Sequence, residues 1–184
     1  QTVAFAEIQV LDVDVQVQVS SGLPAFTVVG LADKAVANSR ERVRAALHTM
    51  GLALPPKRIT VNLAPADLAK KARHSDLPIA LGLISAIEAA PADALDGYAA
   101  LGKLAHDGVV TPFAVVLPAA IHASAQGRGL ICLAAHGGAA AFATELDVLA
   151  SADLLGHANP SRATQVPTPP EARPTEATAE TTPA

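Results

Sequence analysis

The sequence predicts a mixed α/β domain, with a mixed sheet packed with helices, followed by a short low-complexity tail. Three observations carry that expectation. Strictly alternating valines mark a half-buried strand, one long segment repeats its apolar residues at helical spacing while a second is apolar on nearly every side, and strands alternate with helices in the second half of the chain. At 184 residues, with 51% hydrophobic and 16% charged side chains, the chain is long enough for one domain with a sizeable core.

Residues 3 to 7 and 13 to 19 read as the first two strands. In Val13-Asp14-Val15-Gln16-Val17-Gln18-Val19 the valines fall on one face and the polar residues on the other, so one face is core and the other is wet. Ser20-Ser21-Gly22-Leu23-Pro24 is a turn, and a third strand over residues 25 to 29 ends at Gly30. From residue 32 to about residue 50, Ala35, Val36, Val43, Ala46 and Leu47 recur at helical spacing, which makes an amphipathic helix that stops at Gly51. Its wet face carries Arg40 and Arg44, with Glu41 and Arg42 beside them. Those charges read either as a solvated face with an internal ion pair or as a basic ridge for a nucleic-acid backbone or a neighbouring subunit.

The stretch from Arg58 to Leu68 organises the rest. Ile59 to Leu63 is a short β-rich run, and Pro65, which has no N–H for a ladder, ends it. A basic run, Lys70-Lys71-Ala72-Arg73-His74, follows; Ser75 or Asp76 can then cap a helix over residues 77 to 89, with Pro78 in its first turn. Ala, Leu and Ile on nearly every side of that helix place it between layers. Residues 98 to 104 and 108 to 111 read as a hairpin around Asp107-Gly108. A helix at 115 to 125, a strand at 130 to 133, a short helix at 138 to 144, a strand at 147 to 149 and a last helix from 151 to 156 complete the domain.

From Pro160 onward the composition turns to Pro, Thr, Glu and Ala. Such a segment cannot bury enough surface to offset its ordering entropy. We therefore expect a domain over residues 1–158 and a disordered linker over 159–184.

The totals narrow the function classes. A net charge of −4 argues against a whole-surface electrostatic grip on nucleic acid and leaves room for a local basic patch. Aromatic residues are 3% of the chain, so stacking platforms for single strands are scarce. The lone Cys132 allows no internal disulfide, no apolar run reaches the length of a membrane span, and no export signal is present, which together favour a cytoplasmic protein. The chain starts at Gln1 rather than Met, which suggests that its natural beginning lies further upstream.

No glycine-rich phosphate loop of either common type exists, and no Gly-x-Ser-x-Gly elbow. The six histidines, His48, His74, His106, His122, His136 and His157, never fall at a recognised metal spacing with a second ligand. The cluster that invites a catalytic reading is His74-Ser75-Asp76, with Lys70 and Lys71 close by. Neighbours in a chain project in different directions, however, and working triads are assembled from distant segments. Helix capping by Ser75 or Asp76 explains the same letters.

Longer motifs then become recognisable. Gly22-Leu23-Pro24-Ala25-Phe26, Val29-Gly30-Leu31-Ala32-Asp33-Lys34-Ala35-Val36, Ser39-Arg40-Glu41-Arg42-Val43-Arg44-Ala45-Ala46-Leu47, the strand before Pro65 and Asp76-Leu77-Pro78-Ile79-Ala80-Leu81 together resemble the N-terminal domain of the ComM/YifB family of magnesium-chelatase-like AAA+ ATPases. The resemblance covers roughly residues 3 to 158. It implies a Lon-protease-like domain with the ribosomal protein S5 domain 2-like fold, placed before an AAA+ motor that binds ATP and Mg. It also implies a hexameric DNA-dependent ATPase that promotes branch migration during natural transformation.

Laid along the Lon pattern, the nucleophile position falls at His74 rather than Ser75, and the lysine position falls near Leu117 to Ala119, where there is no lysine. The resemblance therefore implies a non-proteolytic domain with no cofactor of its own. The family pattern is broken at Ala72 and Arg73, at Lys103 and at Val115.

On this reading the domain helps assembly or DNA engagement. Lys57, Arg58, Lys70, Lys71 and Arg73 are the expected phosphate contacts, with Arg40 and Arg44 as further DNA or interface contacts. The expected partners are its own AAA+ domain, neighbouring subunits of a homo-hexamer and DNA, with no membrane. The competing readings are a residual Lon-like serine peptidase using Ser75 with Lys70, Lys71 or Lys103, and a magnesium-chelatase subunit acting on a porphyrin.

Overall fold

The structure is a computed structural model of the 184-residue chain, in which residues 1–6, 9–69, 74–90, 95–112, 116–140, 143, 146–154 and 164–165 are described. Strands β1 (Thr2–Ala6) and β2 (Gln9–Ser20) form an antiparallel pair. The alternation read from the valines holds along β2: Val13 is buried and Val15, Val17 and Val19 face the core, while Asp14, Gln16 and Gln18 are exposed.

Strand β3 (Ala25–Val29) leads into helix α1 (Asp33–Thr49) and then into β4 (Arg58–Ala64). β4 pairs antiparallel with β2, setting Val61 opposite Val17, and parallel with β3, so the first sheet has the order β1-β2-β4-β3. A parallel pair needs a crossover, and α1 supplies it. Ile59, Val61 and Leu63 are buried on one face of β4, opposite the buried Val43, Ala46 and Leu47 of α1 in the main core. Ala35, expected on the inner face of α1, is exposed.

After the short α2 (Ala66–Ala69) comes α3 (Asp76–Ala86), whose residues 76–81, 83 and 84 are all buried. It lies against β2 so closely that a Cβ on Gly82 would stand 2.9 Å from a Val17 methyl. Glycine is the side chain that this crossing allows. The helix ends earlier than residue 89, because Glu88 takes a left-handed φ of 59° and Ala89 N–H returns to the Ile84 carbonyl at 2.9 Å. That is a Schellman-type stop.

The second half is built on a second sheet. Strands β5 (Tyr98–Ala100), β8 (Gly129–Leu133) and β9 (Val148–Ser151) run parallel, and β10 (Thr164–Gln165) adds antiparallel, in the order β10-β9-β8-β5. Helix α4 (Val116–Ala125) precedes β8 and α5 (Ala134–Ala140) follows it. In the central strand β8, Leu130 and Cys132 pack with α4 and α5, whereas Ile131 and Leu133 join the main core. Burial on both faces is why Leu130-Ile131-Cys132-Leu133 reads as one apolar run. That burial pushes the Cys132 thiol up to about 12, which disfavours the nucleophilic thiolate.

Three expectations are corrected here. The hairpin joins only β6 (Lys103–Leu104) to β7 (Val110–Thr111), whereas Tyr98–Ala100 is a separate strand of the second sheet. The chain changes course at Gly102, where a Cβ would meet Val110 and Leu77. The short helix runs from Ala134 to Ala140, directly after β8, and so begins four residues before the expected start at Gly138; residues 141, 142 and 144 lie outside the described residues. Ser151 closes β9 instead of opening a helix, and of the expected last helix only residues 151–154 are described. The tail expected after residue 158 lies outside the described residues except for β10.

The fold is thus mixed α/β, as expected. No helix among the described residues is long and apolar enough to cross a membrane.

Candidate functional site

Helix α1 distributes its arginines to three different tasks. Val43, Ala46 and Leu47 face the core, which fixes the rotation of the helix. Arg42 then lies at the margin of the buried face and reaches Asp76 at the start of α3, with Nε 2.7 Å and Nη2 3.0 Å from the two carboxylate oxygens. Asp76 also accepts the Leu104 N–H at 3.1 Å. Three donors therefore satisfy a nearly buried carboxylate, and one contact ties α1, α3 and β6 together.

This corrects two expectations. Arg42 is not a residue of the wet face, and the letters Ser75-Asp76 do not cap α3 through their side chains. Ser75 occupies the N-cap position without a side-chain capping bond, and Asp76 serves the ion pair.

Arg40 extends toward β3, where its Nη1 stands 3.4 Å from the Phe26 carbonyl. Arg44, one turn further along α1, is exposed, and His48 follows one turn after it. Opposite them the segment from Leu52 to Lys57 returns toward the sheet. The two sides enclose a groove of about 350 Å³ lined on its floor by Phe26, Leu52, Leu54, Pro55 and Ile59 and rimmed by Arg44, His48 and Lys57. Arg58, exposed at the head of β4, stands beside Gly22 at the start of the turn before β3.

Four of the seven basic residues singled out from the sequence, Arg40, Arg44, Lys57 and Arg58, are therefore brought to one end of the first sheet. None of the four makes an ion pair among the described residues. Lys70, Lys71 and Arg73 lie outside the described residues, as do Ala72 and Val115. His48 was missed as a member of the groove, although its spacing of four from Arg44 on a helix is a readable signal.

A second polar cluster was missed altogether. Asp12 of β2 holds His122 Nε2 at 3.0 Å and Arg128 Nη1 at 3.0 Å, which ties the first sheet to the last turn of α4. Burial alone would raise the Asp12 carboxyl, but the hydrogen bonds and charges of Arg128 and His122 outweigh it and hold the group below its ordinary value.

The serine of the catalytic reading is sealed. Ser75 is 2% exposed, and Lys103 is exposed on β6. Lys70 and Lys71, the other bases considered, fall outside the described residues. Among the described residues no group of three or more His, Cys, Asp or Glu side chains is placed to hold a metal ion.

Comparison with known proteins adds the lineage. Residues 15–136 match the sequence model of the family described as subunit ChlI of Mg-chelatase. Protein YifB of Escherichia coli is 42% identical over 119 residues, which cover 65% of this chain and 24% of that protein. Competence protein ComM of Haemophilus influenzae is 37% identical over 143 residues, 78% of this chain and 28% of that protein. The chain spans about a quarter of the length of these relatives.

Proposed function

The chain belongs to the Mg-chelatase subunit ChlI family, in its ComM/YifB branch, and on that premise we propose that it is a non-catalytic accessory domain of a Mg-chelatase-like AAA+ ATPase. The likeness to the competence protein ComM carries this reading. In it the parent protein is a hexameric DNA helicase acting in branch migration during natural transformation. ATP and Mg bind in an AAA+ domain outside this chain, and the present domain, with a Lon-like, S5 domain 2-like fold, helps assemble the motor or engage its DNA.

Two features of the chain support an accessory role. The sequence has no glycine-rich phosphate loop. The serine considered for peptidase chemistry is 2% exposed, which does not favour attack by its hydroxyl on a peptide carbonyl. The chelatase reading, with a porphyrin as substrate, has only the family description behind it.

For DNA engagement the exposed Arg44, Lys57 and Arg58 at the end of the first sheet are the expected phosphate contacts, joined by Lys70, Lys71 and Arg73, with the half-buried Arg40 behind them. Such contacts give sequence-independent, salt-dependent binding. The test is a titration of fluorescent single-stranded and forked DNA with this chain across a salt series. The affinity is expected to fall linearly on a double-logarithmic plot. Removing Arg44 and Lys57 together should flatten the slope by about 0.7 to 0.9 per lost phosphate contact. Absence of binding at the lowest salt would reject the DNA role and leave assembly as the function of the domain.

A further inference from the structure

Beyond that reading, the same end of the first sheet is shaped for a protein strand. β3 has β4 on one side, and no strand pairs with its other edge among the described residues. The Ala25 N–H donates to the Lys57 carbonyl at 3.3 Å, and in a parallel ladder alternate residues bond to the same neighbour. Ala25, Thr27 and Val29 therefore turn their backbone groups toward β4, and Phe26 and Val28 turn theirs toward the open edge. At that edge the Phe26 carbonyl already accepts a donor, the Arg40 guanidinium at 3.4 Å.

Edge strands are ordinarily guarded by a charge, a bulge or an inserted proline, because open backbone groups template pairing. The five residues of β3, Ala25-Phe26-Thr27-Val28-Val29, contain none of these, and the one charge laid on the edge among the described residues is the Arg40 guanidinium, which an added strand would displace from the Phe26 carbonyl. Its outward face is open, with Val29 47% exposed and Leu23, just before the strand, 79% exposed. At its start the apolar groove opens under Arg44, His48 and Lys57.

The charges select the occupant. Arg42 and Arg128 are neutralised by Asp76 and Asp12, whereas Arg40, Arg44, Lys57 and Arg58 around β3 lack an anionic partner among the described residues. We propose that β3 accepts an extended segment of a partner protein as an added strand. That segment carries acidic side chains for Arg44, Lys57 and Arg58 and an aliphatic side chain for the groove. Ladder hydrogen bonds would supply affinity, and the alternating side chains would supply specificity.

The probe is a random heptapeptide display library selected on the full chain. The peptides that enrich are then synthesised with a fluorophore and titrated by anisotropy. The expected consensus alternates Asp or Glu with Val, Leu or Ile. Binding should weaken by about tenfold or more in the Arg44→Glu/Lys57→Glu double variant, and again when alternate peptide nitrogens are methylated. Bound peptide should slow amide exchange at Phe26 and Val28, whose N–H groups face the open edge.

Both substitutions lie at exposed positions, so the circular-dichroism melt of the variant should match that of the parent chain. Enrichment without an acidic consensus, or equal binding of the methylated peptide, overturns the proposal. Slowed exchange at Phe26 and Val28 that depends on chain concentration alone assigns the edge to a second copy and also overturns it. Slowed exchange produced only by single-stranded DNA does the same, since the surface is then a nucleic-acid site.

Discussion

Asp76 and Asp12 are both aspartates with an arginine at hydrogen-bond distance, and they sit in unlike surroundings. The Asp76 side chain is 4% exposed and its Arg42 partner 18%, with the Leu104 N–H completing the site. The Asp12 side chain is 33% exposed, and it shares its two oxygens between Arg128 and His122. Water can replace most of what Asp12 would lose. Nothing comparable reaches Asp76, so the first contact is part of the scaffold and the second fastens two elements at the surface.

The largest effect is therefore expected at the buried pair. Asp76→Ala leaves the Arg42 charge and the Leu104 N–H without their partner, and Arg42→Ala leaves a carboxylate buried. Removing one member of a buried pair costs about 3 to 5 kcal/mol. Urea denaturation of either variant should show a loss of that order. Arg42→Lys should recover only part of it, because an ammonium cannot present two parallel donors to both oxygens. A loss below about 1 kcal/mol in both alanine variants would place this contact with surface pairs and erase the contrast with Asp12.

How much of this contrast could be read in the sequence depends on distance along the chain. The alternation of β2, the periodicity of α1 and the apolar α3 are local patterns, and each was legible. Arg42 was not legible as the inward arginine. Arg40 stands three residues before the buried Val43 and Arg44 three before the buried Leu47, so helical spacing alone does not single Arg42 out.

Its partner was not legible, because Asp76 lies 34 residues away and nothing in the letters joins them. The Asp12 to His122 contact spans 110 residues and was hidden for the same reason. The parallel pairing of β5 with β8 leaves no local mark either. The Asp107-Gly108 turn signal therefore drew Tyr98–Ala100 into a hairpin that it does not join. The groove was legible as a set of cations but not as a cavity. Arg44 and Lys57 meet only after β3 and β4 have paired.

A smaller effect is expected at the surface cluster. Asp12→Asn keeps the shape and removes the charge that Arg128 and His122 share. Partly exposed pairs contribute about 0.2 to 1 kcal/mol each, and salt screens them. The variant should lose stability by no more than about that amount in low-salt buffer and approach the parent chain at high salt. A loss as large as that of Asp76→Ala, insensitive to salt, would mean that the cluster organises the fold rather than fastening its surface.

The smallest effect is the pH dependence of the same carboxylate, and its sign follows from the direction of the shift. The folded chain holds Asp12 below its ordinary value of 3.8, so the unfolded chain binds the proton more readily than the folded one. The contribution of Asp12 is then fully present above that ordinary value and is lost as pH falls through the lower, folded value. Between neutral pH and mild acidity Asp12 should add no slope to the stability profile. Below about pH 4 the parent chain should lose stability faster than Asp12→Asn, and the two curves should converge. Parallel urea midpoints for the two proteins down to the acid limit of folding would show that Asp12 titrates alike in the folded and unfolded states. The Arg128 and His122 contacts would then do no more than offset the burial of the carboxyl.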